Sequence, residues 1–199
     1  MARPRKQDAI DIPAKAIRTA VELMRRKGGT NFSLAELAKE IGCSAPALYN
    51  HFTSKDDLLL QVRETAYRES LAQKKQRYGR SDGDPLARLR DGGIAYLDFA
   101  RDNPALYRLL YCPPADLVPP GTEDVIPLDA LSALTNGVSA CQAKGYAKGL
   151  DAEALAFTLW SAAHGSALLA LDQAVRNQKD PWENARRSIQ VLIDFIRNV

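Results

Sequence analysis

Apolar residues recur every three to four positions through most of the chain, and no long stretch alternates with a period of two. A repeat of three to four places apolar side chains on one face of an α-helix, whereas alternation would indicate a strand. Glycines and Asp-Pro or Asn-Pro pairs, which typically begin or end helices, separate the segments. The pattern therefore predicts an all-α fold, and the glycine-flanked segment 79–83 resembles a linker between two parts.

Residues 33–52, SLAELAKEIGCSAPALYNHF, contain two short helical segments joined by a tight turn. Ser33 can cap the first helix, and Glu36 three positions later would complete a capping box. Gly42 interrupts the helix, and Pro46 stands where a second helix tolerates a missing N–H. This arrangement predicts a helix-turn-helix motif, whose second helix usually enters the major groove of DNA.

The remaining helices give a two-part organisation. We expect a three-helix helix-turn-helix domain over 1–54, in which the recognition helix covers about 45–51. A connecting helix is predicted over 55–79, and a helical bundle for ligand binding and dimerisation over 84–199. The segment 112–124 contains four prolines and one glycine, so it is predicted to be a loop. Whether that loop gates a pocket or only turns the chain is left open.

Charge is distributed unevenly along a chain of ordinary composition, with 46% hydrophobic and 26% charged residues. The first 80 residues carry 16 Lys and Arg against 9 Asp and Glu, a net charge of +7, and the remainder carries −4. An N-terminal arm with Arg3, Arg5 and Lys6 could follow the DNA backbone or stay without a role. The basic half contains the helix-turn-helix motif, as expected of a domain that binds phosphates.

The cysteines and apolar stretches argue against several other classes. Cys43, Cys112 and Cys141 are widely spaced and odd in number, which is typical neither of a disulfide framework nor of a zinc site. No run of about 18 apolar residues is present, and the basic N-terminus lacks the apolar segment of a secretion signal. We expect a cytoplasmic protein with neither a cofactor nor a bound metal.

The segment GGTNFSLAELAKEIGCSAPALYNHFTSKDDLLLQV resembles the DNA-binding domain of tetracycline-repressor (TetR/AcrR) family regulators. The matching features include Gly29 and Phe32 before the motif, the Leu-Tyr-Asn-His-Phe run 48–52 and Ser54-Lys55. More weakly, Trp160 to Gly165 resembles the Trp-His-Gly (WHG) regulatory domain of one branch of the family. The resemblance implies an all-α homodimer that reads a palindromic operator and releases it when a small molecule binds the C-terminal domain.

The recognition segment contains no Arg, Lys or Gln, so the strong bidentate reading of guanine is absent from it. Its alanines and proline can meet thymine methyl groups, and Asn50 could read an adenine or remain solvated. Ser33 and Ser44 could act as helix caps, as phosphate ligands, or as both. By resemblance, Tyr49, His51 and Lys55 contact phosphates. The predicted DNA-binding residues are Ser33, Ser44, Ala45, Pro46, Ala47, Tyr49, Asn50, His51 and Lys55.

Aromatic residues collect in the second half at helical spacing, which is typical of a core but also of a ligand pocket. The candidate ligand-binding residues are Tyr96, Phe99, Tyr107, Tyr111, Phe157, Trp160 and His164. His164 could equally be a hydrogen-bonded core residue. The last two helices are the predicted dimer interface, with small residues for close packing and apolar area from Leu168, Leu171, Leu192, Ile193 and Ile196.

Two alternatives to a ligand-released repressor were considered. One is a helix-turn-helix regulator that binds no small molecule and is controlled by a protein partner. The other is an enzyme, but the sequence has neither a glycine-rich phosphate loop nor a Ser/His/Asp arrangement above chance. We therefore predict a DNA-binding regulator and not an enzyme.

Overall fold

The computed structural model describes residues 11–78, 83–118, 124–174 and 180–199. Within these ranges the secondary structure is helical, without a strand, and the prediction of an all-α fold is confirmed. The basic arm, most of the linker segment 79–83 and residues 119–123 of the proline-rich loop lie outside the described residues. The described helices are α1 (Ile12–Lys27), α2 (Leu34–Ile41), α3 (Ala45–Tyr49), α4 (Lys55–Tyr78), α5 (Pro85–Asp102), α6 (Pro104–Tyr111), α7 (Val125–Ala143), α8 (Ala152–Leu171) and α9 (Pro181–Asn198).

Side-chain caps fix the ends of the short N-terminal helices. The Ser33 hydroxyl accepts a hydrogen bond from the Glu36 N–H at 3.1 Å, and the Ser44 hydroxyl accepts one from the Ala47 N–H at 3.3 Å. The Glu36 carboxylate, however, accepts a hydrogen bond from Lys27 at 2.8 Å. An opposite charge thus holds the acidic side chain away from the Ser33 N–H, and only the serine half of the predicted capping box forms.

Helices α1 to α4 enclose a small apolar core that we call the head core. Leu23, Leu37, Leu48 and Phe52 are fully buried in it. Burial of each such side chain contributes roughly 1.5–3 kcal/mol relative to exposure. The head core also includes residues of α6, so the second half of the chain helps to close the first.

Helices α5, α7, α8 and α9 form a second bundle with its own core, the regulatory core. Leu97, Val138 and Ile193 are buried there. Helix α6 lies between the two cores: Leu106 and Leu110 pack into the head core, and Tyr107 packs into the regulatory core. A short helix therefore connects the two regions through adjacent faces.

Arg63 on α4 makes a polar junction between three helices, and only 5% of its surface is exposed. Its guanidinium donates to the Leu110 carbonyl at 2.7 Å and to the Asp124 carboxylate at 2.6 Å and 2.8 Å. Its Nε also donates to the Leu109 carbonyl at 3.1 Å. One side chain thus joins the start of α4 to the end of α6 and the beginning of α7. Because the charge is buried, its partners are needed to offset the loss of hydration.

Helix α8 is long and apolar enough, by length and composition, to cross a membrane, with a mean hydropathy of 1.4. This is weak evidence for a membrane span, because a core helix of a bundle meets the same criterion. Leu159 and Ala163 on one side of α8 are buried in the regulatory core, whereas Phe157 and Leu169 are exposed. The helix is therefore apolar around its whole circumference but covered on only part of it.

Candidate DNA-binding surface and effector cavity

Helix α3 is anchored by one buried side chain, and Pro46 and Tyr49 on it are exposed. Leu48 is fully buried in the head core, while the Tyr49 ring is 54% exposed. The helix ends at Tyr49, and Asn50 and His51 follow in a turn in which the His51 N–H donates to the Leu48 carbonyl. Both of these polar side chains are exposed. The predicted recognition segment 45–51 is thus one short helix plus a turn.

Three of the predicted phosphate ligands, Ser33, Ser44 and Lys55, stand at the beginnings of helices. Ser33 and Ser44 are exposed, and their oxygens already accept the capping hydrogen bonds, so each hydroxyl hydrogen remains available to a phosphate. Lys55 begins α4, and its Nζ lies 5.2 Å from the centre of the Phe32 ring. A cation–π contact of this kind restrains the ammonium group while it stays accessible. Helix N-termini favour anions, which suits these positions to DNA backbone contacts.

Several other cations of the head are already paired. Arg26 binds Glu40 at 2.9 Å, and Lys27 binds Glu36 at 2.8 Å. The net charge already counts Glu36 and Glu40, but the pairs leave Arg26 and Lys27 less available to phosphates. The sequence charge count therefore overstates the number of free cations there.

Three of the candidate aromatic residues form a buried hydrogen-bonded cluster with His164. The Tyr107 hydroxyl lies 2.7 Å from His164 Nδ1, and the Tyr96 hydroxyl lies 2.9 Å from the same atom. Trp160 Nε1 donates to the Tyr96 oxygen at 3.4 Å. His164 is therefore a hydrogen-bonded residue of the bundle, and its Nδ1 is occupied by tyrosine hydroxyls.

Burial keeps this cluster uncharged near neutral pH. Desolvation raises the pKa of Tyr96, Tyr107 and Tyr111 above the ordinary tyrosine range. It lowers the pKa of His164 below its usual value. The Cys112 sulfur lies 3.7 Å from His164 Nε2, but desolvation also raises the thiol pKa, which disfavours a reactive thiolate.

A cavity of about 460 Å³ opens beside this cluster, between α4, α5, α7, α8 and α9. Of the seven candidate ligand residues, Tyr96 and Trp160 line it. Tyr107, Tyr111 and His164 belong to the hydrogen-bonded and stacked cluster, and Phe99 is half-buried between the two cores. Phe157 is 59% exposed, away from the cavity wall. Helical spacing alone could not separate these four environments.

The cavity wall includes residues that the aromatic pattern did not single out. Tyr67 and Leu71 reach it from α4, and Arg88 reaches it from the first turns of α5. The described part of the proline-rich loop, 112–118, contributes no residue to the wall. Among the described residues, no group of three His, Cys, Asp or Glu side chains is placed to hold a metal ion.

Comparison with known families identifies both parts of the chain. Residues 89–194, more than half of the chain, match the tetracyclin repressor-like C-terminal domain. Residues 16–62 match the bacterial regulatory proteins of the tetR family. The chain belongs to the TetR family. The resemblance of the sequence to this family of bacterial regulatory proteins is confirmed.

Known TetR-family relatives resemble the chain over limited lengths. It is 32% identical over 91 residues to the HTH-type transcriptional regulator AcrR of Shigella flexneri, covering 46% of this chain and 42% of AcrR. It is 33% identical over 110 residues to the nucleoid occlusion factor SlmA of Aliivibrio fischeri strain MJ11, covering 55% of each. The chain thus spans about half the length of these curated relatives.

The fold extends over the whole chain in a solved structure. A protein of unknown function from Rhodococcus sp. RHA1 superposes with a TM-score of 0.81 at 20% identity, covering 98% of this chain and 100% of that one. This likeness shows a shared fold. Membership of the WHG branch stays a prediction that rests on Trp160, His164 and Gly165.

Proposed function

We propose that this TetR-family protein is a cytoplasmic repressor that leaves a palindromic operator when a small molecule occupies the cavity. One observation carries the proposal: α4 begins at the DNA-binding head with Lys55 and also supplies Tyr67 and Leu71 to the cavity wall. A ligand that displaces this wall acts on the helix that carries the head. A pocket of this size with mainly apolar walls is suited to a small molecule.

DNA binding in this proposal relies largely on phosphates. Tyr49, His51 and Lys55 are exposed or accessible, and α3 offers neither arginine nor lysine to base edges. Phosphate contacts fix the position of a protein on DNA but carry little sequence information. The distance between two heads in a dimer would then contribute much of the selectivity for a palindrome.

The proposed dimer forms through α8 and α9. Their outer surfaces expose the large apolar side chains Phe157, Leu169, Val191 and Phe195. Such a surface on two adjacent helices favours a four-helix interface with twofold symmetry. Two residues predicted from the sequence to supply this interface, Ile193 and Ile196, are instead buried in the core of their own subunit. Helix α9 turns those two side chains inward, and Val191 and Phe195 take the outer positions.

The proposal is tested by selecting operator fragments from genomic DNA, beginning with the DNA upstream of the protein's own gene. We expect a gel shift of a palindromic fragment and a steep fall in affinity between about 50 and 200 mM salt, because phosphate contacts release counterions. Sedimentation at micromolar concentration should show a dimer. Absence of a shifted fragment, or an affinity that barely changes with salt, would contradict the proposed mode of DNA binding.

A second candidate function is that of a regulator that is controlled by a protein partner and binds no small molecule. The similarity to SlmA, which is named a nucleoid occlusion factor, is the observation that favours this second candidate function. A thermal-shift screen with apolar small molecules separates the two, since a ligand of the folded state raises the melting temperature. Stabilisation that disappears when the cavity is filled by mutation supports the effector. A screen without any stabilising compound favours the partner.

A further inference from the structure

We propose that the effector is an amphipathic anion, whose apolar body fills the cavity and whose negative group binds Arg88 at the entrance. This inference rests on the proposed effector function and specifies the class of compound. It depends on three features of the described lining residues: one unpaired cation, no acidic side chain, and polar atoms of Tyr96 and Trp160 that already have partners.

Arg88 differs from the other arginines of the bundle. Arg90 pairs with Asp91 at 3.0 Å, Arg186 with Asp98 at 2.7 Å, and Arg101 with Asp102 at 2.8 Å. In the part of the chain that the structure describes, the Arg88 guanidinium has neither an ion pair nor a hydrogen bond. It lines the cavity and is solvent-exposed, which places it at the entrance. A guanidinium in this position can bind a carboxylate, sulfonate or phosphate through two parallel hydrogen bonds.

The remaining wall disfavours a cation. The described lining residues include neither Asp nor Glu, and the nearby Asp129, which acts on Tyr67, is not among them. A positively charged ligand would therefore meet Arg88 with no carboxylate in direct contact. Asn136 is exposed at the cavity and is neutral. Electrostatic complementarity therefore selects a neutral or negative compound, and the unpaired arginine favours the negative one.

The inner wall disfavours a ligand with many polar groups. Tyr96 and Trp160 are aromatic and line the cavity, but the Tyr96 oxygen already contacts Tyr107, His164 and the Trp160 N–H. Most other surfaces are aliphatic, from Leu134, Leu159, Ile189 and similar residues, and Tyr67 adds a further aromatic ring. A sugar-like ligand would leave its hydroxyl groups without partners there, at a cost to affinity. An apolar, preferably aromatic, body fits the interior.

The test uses two fluorescent probes that differ by one charged group: 1-anilinonaphthalene-8-sulfonate and N-phenyl-1-naphthylamine, the same molecule without the sulfonate. We expect the wild-type protein to bind the sulfonate more tightly. Arg88→Gln should weaken sulfonate binding about fivefold and change binding of the neutral probe less than twofold, because an exposed ion pair contributes modestly. Arg88→Glu should weaken sulfonate binding further.

Two further variants provide controls. Arg90→Gln removes a nearby arginine of the same helix that is paired with Asp91 and does not line the cavity, so both probes should bind as in the wild type. Ala133→Phe places a bulky ring at the wall from an exposed position of α7 and should abolish binding of both probes. Circular dichroism verifies that each variant is folded.

The outcomes distinguish a failure of the anion proposal from a failure of the effector cavity itself. If both probes bind, Ala133→Phe removes both, and Arg88→Gln weakens both equally or neither, the cavity binds small molecules but the anion proposal is overturned. If neither probe binds, or Ala133→Phe leaves binding intact, the effector cavity itself is overturned. A selective loss of sulfonate binding in Arg88→Gln supports the anionic class.

Discussion

The head core and the regulatory core are both helical, yet they differ in how completely they are filled. In the head, short capped helices surround fully buried side chains, such as Phe52 and Leu48, and the polar residues lie outside. In the bundle, longer helices surround a cavity and a hydrogen-bonded group of Tyr96, Tyr107 and His164. The head is built to hold one shape on DNA, whereas the bundle keeps space that a ligand can occupy.

This difference in packing predicts where the protein tolerates substitutions that shorten a side chain. Closely packed cores lose stability whenever a large side chain is shortened, because the cavity that remains is only partly refilled. A wall that already borders empty space loses fewer contacts. The following experiments examine this contrast, in order of decreasing expected effect.

The largest effect is expected from Phe52→Ala in the head core. Removing this fully buried ring should lower the free energy of unfolding by about 3–5 kcal/mol. The matched variant Leu134→Ala, at the half-buried cavity wall, should cost about 1 kcal/mol, since less surface is lost from contact. Urea unfolding followed by circular dichroism measures both values. Equal costs would show that the two cores are equally well packed.

A smaller loss is expected when the Arg63 junction is broken. Arg63→Met leaves the Asp124 carboxylate and the Leu110 carbonyl without their donor, which should cost about 2–3 kcal/mol because the guanidinium is buried but Asp124 is partly exposed. Arg68→Met on the same helix removes an exposed ion pair with Glu64 and should cost less than about 0.5 kcal/mol. If both variants unfold at the same urea concentration as the wild type, Arg63 does not stabilise the junction.

On the DNA surface we expect a change in function without a change in stability. Tyr49→Ala should weaken operator binding about tenfold, or about 1.4 kcal/mol, because it removes both a ring and a hydroxyl from an exposed position. Tyr49→Phe should retain part of that affinity, which separates the hydroxyl from the ring. Fluorescence anisotropy with operator DNA gives the dissociation constants. Loss of the helical circular-dichroism signal in the alanine variant would make Tyr49 a structural residue instead.

The smallest effect concerns the pH dependence of the bundle. Burial lowers the pKa of His164 in the folded state, so the unfolded chain binds its proton first as the pH falls. The stabilisation is complete above the unfolded pKa of about 6.5 and decreases as the pH falls from there towards the folded pKa. His164→Asn should therefore lose less stability than the wild type between pH 7 and 5.5 in parallel urea titrations. An identical decrease in both proteins would contradict this assignment.

Local features of the head could be read from the sequence. Asp11, Ser33 and Ser44 cap helices, and Gly28 ends α1 with a positive φ of 71°, because capping depends on residues only a few positions apart. The order and approximate length of the helices followed from the apolar repeat in the same way. The partner of Glu36 could not be predicted in this way, since Lys27 reaches it from the end of the preceding helix α1.

The residues that line the cavity could not be predicted from the sequence, because they are set by contacts between distant parts of the chain. Phe157 and Trp160 are three positions apart on α8, yet one is exposed and the other lines the cavity. Arg88 resembled any solvated arginine until the pairing of its neighbours was known. An unpaired cation beside a cavity is visible only when all helices of the bundle are in place.

Helix α6 also bears on how members of this family could be recombined. Because Leu106, Leu109 and Leu110 complete the head core, a hybrid protein that takes only residues 1–54 from one regulator would pair its head with a foreign α6. A hybrid that also takes α4 from the first regulator would in the same way separate Arg63 from the Leu110 carbonyl and the Asp124 carboxylate. The unit of exchange is therefore larger than the DNA-binding domain, and a functional hybrid should carry α6 and the first turn of α7 together with the head.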